Sequence, residues 1–206
     1  MASRQAVAAL KAIVFVVALV PLVRLAAGVF YFPDWLGANP AEYITRTTGD
    51  WTLRFLLITL AVTPLRHLTG WNWLLRLRRM LGLYAFFYAL VHLSSYVAFD
   101  HVFDVGEIVR DIVKRPFITV GFATLVLLIP LALTSTDAMV RRLGARRWLM
   151  LHRLVYFIAP LGVLHFWWMV KRDLTEPAIY AMMLTLLLGY RVFRKTRQLA
   201  RTAAAS

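Results

Sequence analysis

Three histidines lie inside stretches that are otherwise apolar: His92, His152 and His165. An ionisable side chain in hydrocarbon is costly, so such residues face a bundle interior and mark a cofactor, an ion path or a proton relay. Neutral imidazole is also a natural axial ligand for haem iron. His92 stands eight residues before Asp100, and His165 six before Lys171. At ~1.5 Å rise per residue these are about 12 Å and about 9 Å from the outer ends of their helices. Two imidazoles at similar depth on different helices can clamp one iron from both faces. Ala85 and Ala89 near His92, and Gly162 near His165, let a flat ring approach the backbone. The same small residues would also let helices pack closely.

His152 precedes His165 by thirteen residues, a rise of about 20 Å, with the two side chains roughly 140° apart on a straight helix. Pro160 and Gly162 between them could retwist it. His152 is therefore a candidate ligand at an inner level, but the matching positions on the helix of His92 are Arg78 and Arg79. The second ligand of an inner iron stays open. Arg78 and Arg79, with Arg146 and Arg147, suit haem propionates or a flavin phosphate, or simply lipid headgroups. Met80 and Met169 are alternative sulfur ligands that serve equally as packing residues. Arg24 and Arg54 either snorkel to the interface or pair with an outer propionate. His67 and His101, in charged segments, are expected to be solvated.

Positioning these residues requires membrane helices. The 206-residue chain is 61% hydrophobic and 17% charged, with mean hydropathy +0.67. Long apolar runs separated by short charged links predict an all-α, polytopic membrane bundle of six helices. The spans fall at about 9–30, 51–65, 80–99, 116–134, 148–169 and 177–190. Together they make one transmembrane domain over residues 1–206. The first run reads as a retained anchor, because bulky Phe30-Tyr31-Phe32 follow it without a small-x-small cleavage site. Residues 33–50 read as a loop, marked by Asn39-Pro40 and Thr48-Gly49-Asp50. A short amphipathic helix is expected in the outer loop 100–115. No cysteine is present, which excludes disulfides, cysteine-held iron–sulfur clusters and covalent haem attachment.

The net charge of +14 is a topology signal. The side holding both termini and the links 66–79 and 135–147 carries fifteen Lys/Arg and one acid, Asp137. The other side carries six Lys/Arg and nine acids. The positive-inside bias puts both termini in the cytoplasm of a bacterial cell inner membrane. No basic stripe with interleaved aromatics marks a nucleic-acid surface.

The ordered set Arg78-Arg79-Met80-Leu81-Gly82-Leu83, Val91-His92-Leu93-Ser94-Ser95-Tyr96, Thr134-Ser135-Thr136, Trp148, Leu151-His152, Tyr156 and His165-Phe166 resembles the MsrQ (YedZ) family. The segments Leu36-Gly37-Ala38-Asn39-Pro40 and Thr48-Gly49 fit it too. The likeness runs over nearly the whole chain and extends more distantly to the ferric-reductase and NADPH-oxidase membrane domain. It implies a haem b and FMN membrane subunit with His92, His152 and His165 as the haem-linked histidines. It also implies electrons from the quinone pool or a cytosolic flavin reductase, delivered to MsrP, a periplasmic molybdopterin enzyme that reduces methionine sulfoxide in proteins. The oxidase relatives carry two histidines on each of the third and fifth spans, whereas this chain has one on the third.

The expected role is thus an electron relay, with the sulfoxide chemistry on the partner subunit. Two alternatives remain: a cytochrome b that reduces ferric iron or quinone directly, and a small transporter whose histidines handle protons or a metal ion.

Overall fold

Asn39-Pro40 starts a long helix. In the computed structural model, which describes residues 4–203, Asn39 Oδ1 accepts the Glu42 amide at 3.3 Å and Pro40 occupies the first turn. There a missing N–H leaves no bond unmade, so the pair acts as a cap and a pre-set first residue. The expected loop over 33–50 is corrected accordingly: a 3-10 turn at Pro33–Leu36 is followed directly by helix. The Thr48-Gly49-Asp50 turn signal is overridden because Thr48 bonds back to the Ile44 carbonyl at 2.8 Å and Gly49 is needed for a close approach described below.

The helices are α1 (Arg4–Phe30), α2 (Pro40–Thr69), α3 (Leu75–Ser95), α4 (Val105–Lys114), α5 (Pro116–Leu133), α6 (Asp137–Leu143), α7 (Ala145–His152), α8 (Val155–Met169) and α9 (Thr175–Ala203). No strand occurs among the described residues. Four segments are long and apolar enough to cross a membrane: α1, Asn72–Asp100 containing α3, α5, and Ala145–Met169 containing α7 and α8. α2 and α9 are as long or longer, at 30 and 29 residues. Their apolar stretches are short, however, and α2 carries Arg46, Asp50, Arg54 and Arg66. Length and apolarity alone therefore identify four of the six expected spans.

α2 packs along α3, α5 along α8, and α9 against α8 and α2. The α2–α3 seam is aromatic: Phe55 stacks on Tyr84 and Tyr88 with centroids 5.4 and 5.5 Å apart. Both phenols then satisfy their hydroxyls on α1, Tyr84 donating to the Phe15 carbonyl at 2.8 Å and Tyr88 to the Ala18 carbonyl at 2.7 Å. This matters in lipid, where an unpaired buried hydroxyl has no water to turn to. The other face of α1 exposes Val16, Val17, Val20 and Val23, as a lipid-facing helix would.

The span expected over 148–169 falls within one membrane-length segment, Ala145–Met169, whose helix tightens partway along. The amides of Arg153, Leu154, Tyr156 and Phe157 each bond three residues back, at 2.9 to 3.2 Å, which tightens the chain between α7 and α8. Pro160 contributes, because it cannot donate to the Tyr156 carbonyl and its ring crowds that carbonyl. The retwisting expected at Pro160 and Gly162 is thus centred one to two turns earlier. The amphipathic helix expected in 100–115 is α4, capped by Asp104, whose side chain accepts the Glu107 amide at 3.0 Å.

Candidate functional site

His92 on α3 and His165 on α8 meet. Their ring centroids are 6.1 Å apart, and the rings are inclined at 74°. Each ring is fixed by a backbone carbonyl of a neighbouring helix: His92 Nδ1 lies 2.8 Å from Thr45 O on α2, and His165 Nδ1 lies 2.6 Å from Phe117 O on α5. A carbonyl oxygen only accepts, so each Nδ1 carries the proton and each Nε2 keeps its lone pair. This is the tautomer a metal requires, with the orienting hydrogen bond already in place.

The two seats are built alike. Gly49 follows Thr45 by one helical turn, and Gly121 follows Phe117 by one turn. A Cβ at Gly49 would lie 3.1 Å from the His92 ring, and one at Gly121 only 2.7 Å from the His165 ring. At Gly121 a side chain would force the ring to shift, and at Gly49 it would crowd the ring, so the absence of a Cβ lets each imidazole lie against the helix and reach the carbonyl one turn back. Sequence reasoning missed all four seat residues. Gly49 was read as part of a loop, and a backbone carbonyl leaves no mark on residue type. The one available signal is Gly121, a glycine inside an otherwise apolar helical run; Gly49, between Thr48 and Asp50, carries no such mark.

Both histidines line a cavity of about 450 Å³ between α2, α3, α5 and α8. Ala89, Leu93, Leu53, Leu125 and Phe166 form apolar wall, and Gly162 and Met169 also line it. Charged residues also line it: Glu42, Arg46, Asp50, Asp100 and Arg115. Thr45, in the same wall, has a shielded hydroxyl that meets no hydrogen-bond partner among the described residues. The cavity suits a flat, largely apolar ligand with a polar edge. The histidine spacing suits a metal at its centre: two imidazole–metal bonds of about 2 Å each, end to end, leave ring centres roughly 6 Å apart.

His152 is not brought to this pair. It stacks on Trp148 with centroids 3.9 Å apart, and its Nδ1 lies 3.1 Å from the Trp148 carbonyl. Its Nε2 is shielded and makes no hydrogen bond among the described residues, with the Leu131 backbone close by. Arg79 pairs with Asp137 at 2.6 Å, while Arg78 is half-buried nearby. His67 is exposed on the last turn of α2. His101 corrects the expectation of a solvated residue: its side chain is only 12% exposed and lies 3.1 Å from Asp111, with Tyr96 against its ring at 4.8 Å. The π-helical turn Tyr96–Asp100 swings His101 inward under α4. Arg54 neither snorkels freely nor enters the cavity; its Nε donates to Tyr180 Oη at 2.8 Å and its guanidinium lies 5.0 Å from the Trp51 ring.

Comparison with known proteins places these features in one lineage. The model of the ferric reductase like transmembrane component family matches residues 48–163, a stretch that includes Gly49, His92, Gly121 and His152. A protein of Herminiimonas arsenicoxydans, named protein-methionine-sulfoxide reductase heme-binding subunit MsrQ, is 60% identical over 89% of this chain and 84% of its own length. Proteins of the same name from Ralstonia nicotianae and Xanthomonas euvesicatoria are 57% identical (90% and 85% covered) and 52% identical (97% and 93% covered).

Proposed function

This chain belongs to the MsrQ family of multi-pass membrane proteins, and from that premise we propose that it is a haem b electron-transfer subunit with His92 and His165 as the axial ligands of its outer haem. The observation that carries the reading is the pair itself: two imidazoles 6.1 Å apart, each held by a carbonyl through Nδ1 and both lining one cavity. Bound there, haem b would supply a reversible one-electron couple. The chain's part is to bind, orient and enclose. Thr45 and Phe117 hold the proton on each Nδ1. Gly49 and Gly121 admit the rings, and the apolar wall keeps water from the reacting centre. His152, with its shielded Nε2, is the proposed ligand of an inner haem, and Arg78 and Arg79 are proposed anion contacts at that level. FMN remains part of the reading through the family resemblance alone.

In the full proposal the chain has six spans, α2 and α9 crossing with the four more apolar segments. Its termini are cytoplasmic and it resides in the bacterial inner membrane. Electrons taken on the inner side from the quinone pool or a cytosolic flavin reductase would be delivered on the outer side to a periplasmic methionine-sulfoxide reductase subunit, MsrP. The test is reconstitution: proteoliposomes holding the chain and a quinol, with the periplasmic subunit outside, should reduce a methionine-sulfoxide peptide, and His165→Ala should stop it. Reduction that proceeds unchanged without the chain would remove the role. The match to the ferric reductase like component supports a second reading, direct reduction of ferric iron or quinone. It predicts turnover with ferric chelates and no need for the periplasmic subunit. A small histidine-dependent transporter, the third reading, predicts a purified protein without haem absorbance.

A further inference from the structure

The cavity wall carries two cations that histidine ligation does not use. Arg46 and Arg115 both line it, and they come from opposite sides. Arg46 follows Thr45, whose carbonyl holds His92, and Arg115 precedes by two residues Phe117, whose carbonyl holds His165. Each guanidinium is steadied by a carboxylate one turn earlier. Arg46 Nη2 lies 2.6 Å from Glu42, and Arg115 Nε lies 3.0 Å from Asp111. Asp111 is itself well fixed: it accepts from Tyr96 Oη at 3.2 Å, lies 3.1 Å from His101 Nε2, and its side chain is 13% exposed. A guanidinium has five N–H donors, so each arginine can hold its anchoring carboxylate and a second one.

We propose that Arg46 and Arg115 form a carboxylate clamp at the outer mouth, one arm beside each histidine seat, that takes the two propionates of the haem, with Asp111 as the residue positioning Arg115. The inference rests on the haem reading given above. The mouth is not simply basic, since Glu42, Asp50 and Asp100 line it too. Glu42 is committed to Arg46 and to Asn39 Nδ2 at 3.1 Å, and Asp50 faces Arg54 at 4.0 Å. The clamp therefore works through directed, anchored donors and not through a net positive field. It fixes which edge of the macrocycle faces outward, leaving the apolar edge against Leu53, Leu125 and Phe166.

The test uses the purified full chain in detergent, loaded with haem b or with its dimethyl ester, which lacks both propionate charges. Two quantities are read: the rate of haem loss to apomyoglobin and the midpoint potential. Arg46→Gln and Arg115→Gln should each release haem b about ten-fold faster, the cost of one charge-assisted contact, and the double variant faster still. The potential should fall in each, because a positive charge that favours the reduced iron is removed. Arg→Lys at either position should restore most of the retention. Asp111→Asn should accelerate release in the wild type but add little to Arg115→Gln. The ester should leave the wild type as fast as haem b leaves the double variant, while the double variant should no longer distinguish the two. If the glutamine variants fold poorly, the ester in the wild type still decides, because it alters the ligand and leaves the chain intact. Release rates and potentials unchanged in the double variant, or an ester effect equal in both proteins, would overturn the clamp alone. A wild type that binds no haem would overturn the clamp together with the haem reading.

Discussion

At the residue scale the site is defined as much by missing atoms as by present ones. His92 and His165 lie against helices whose facing residues, Gly49 and Gly121, have no side chain to crowd them. The two seats are unequal, and this gives a graded expectation. A methyl at Gly121 meets the His165 ring at 2.7 Å, whereas at Gly49 the nearest approach to His92 is 3.1 Å. Gly121→Ala should therefore displace its ring and lower haem retention strongly. Gly49→Ala should be milder, with an overpacking cost of roughly 1–3 kcal/mol at either site. Haem per polypeptide and the melting temperature of the loaded protein measure both; equal effects, or a larger one at Gly49, would contradict the seat geometry. The histidines themselves were legible in the sequence because imidazole in an apolar run is conspicuous. Their seats were not, because a carbonyl belongs to every residue and a glycine in a membrane helix has several uses. Arg46 and Arg115 were hidden for a related reason: they sat in segments read as loops, where a cation suggests only solvent.

At the element scale, the order and approximate placement of the apolar helices followed from hydropathy, and the amphipathic α4 followed from its pattern. What sequence could not supply was the early start of α2. There Asn39-Pro40 reads in sequence as loop punctuation, although the same residues are a cap and a first turn. Nor did it place the tight segment between α7 and α8, since Pro160 acts on the turn before it. α9 is tied to α2 through Arg54 and Tyr180, at 2.8 Å, and through Arg191 and the Leu60 carbonyl. Tyr180→Phe should loosen that tie, lowering stability by about 1 kcal/mol or somewhat more because a charged partner is involved. The change should appear as a lower melting temperature with the reduced haem spectrum unaltered. A shifted spectrum would mean that the tie reaches the site. On the opposite side of the bundle, Tyr88→Phe should cost a similar amount by freeing the Ala18 carbonyl on α1, again without touching the ligands. An α1 that stays equally resistant to proteolysis in that variant would show the bond to be dispensable.

At the scale of the whole molecule, four segments declare themselves as membrane spans and two do not. The difference is physical: α2 and α9 carry arginines whose charges are met by neighbours, as Arg54 is by Tyr180 and Arg191 by the Leu60 carbonyl. A hydropathy window counts such residues as costs without crediting their partners. The absence of cysteine makes the topology directly measurable. Single cysteines at Asp104 and Asp173 should react in intact cells with a membrane-impermeant thiol reagent that has passed the outer membrane. Cysteines at Asn72 and Ser135 should react only after lysis. Asn72 and Asp104 bracket the third span, Asp173 precedes α9, and a further cysteine at Arg197, beyond it, should be protected. Labelling of Arg197→Cys in intact cells would mean that α9 does not cross, and the six-span proposal would fall to five or fewer.

The account depends above all on one iron held between His92 and His165, and its coordination is open to direct measurement. Low-temperature electron paramagnetic resonance of the oxidised, purified chain, with haem iron counted per polypeptide, should give a six-coordinate low-spin signal. Replacing His92 or His165 with alanine should abolish one haem equivalent of that signal, while His67→Ala leaves it whole. Full low-spin signal and unchanged haem content in both His92→Ala and His165→Ala would contradict the assignment.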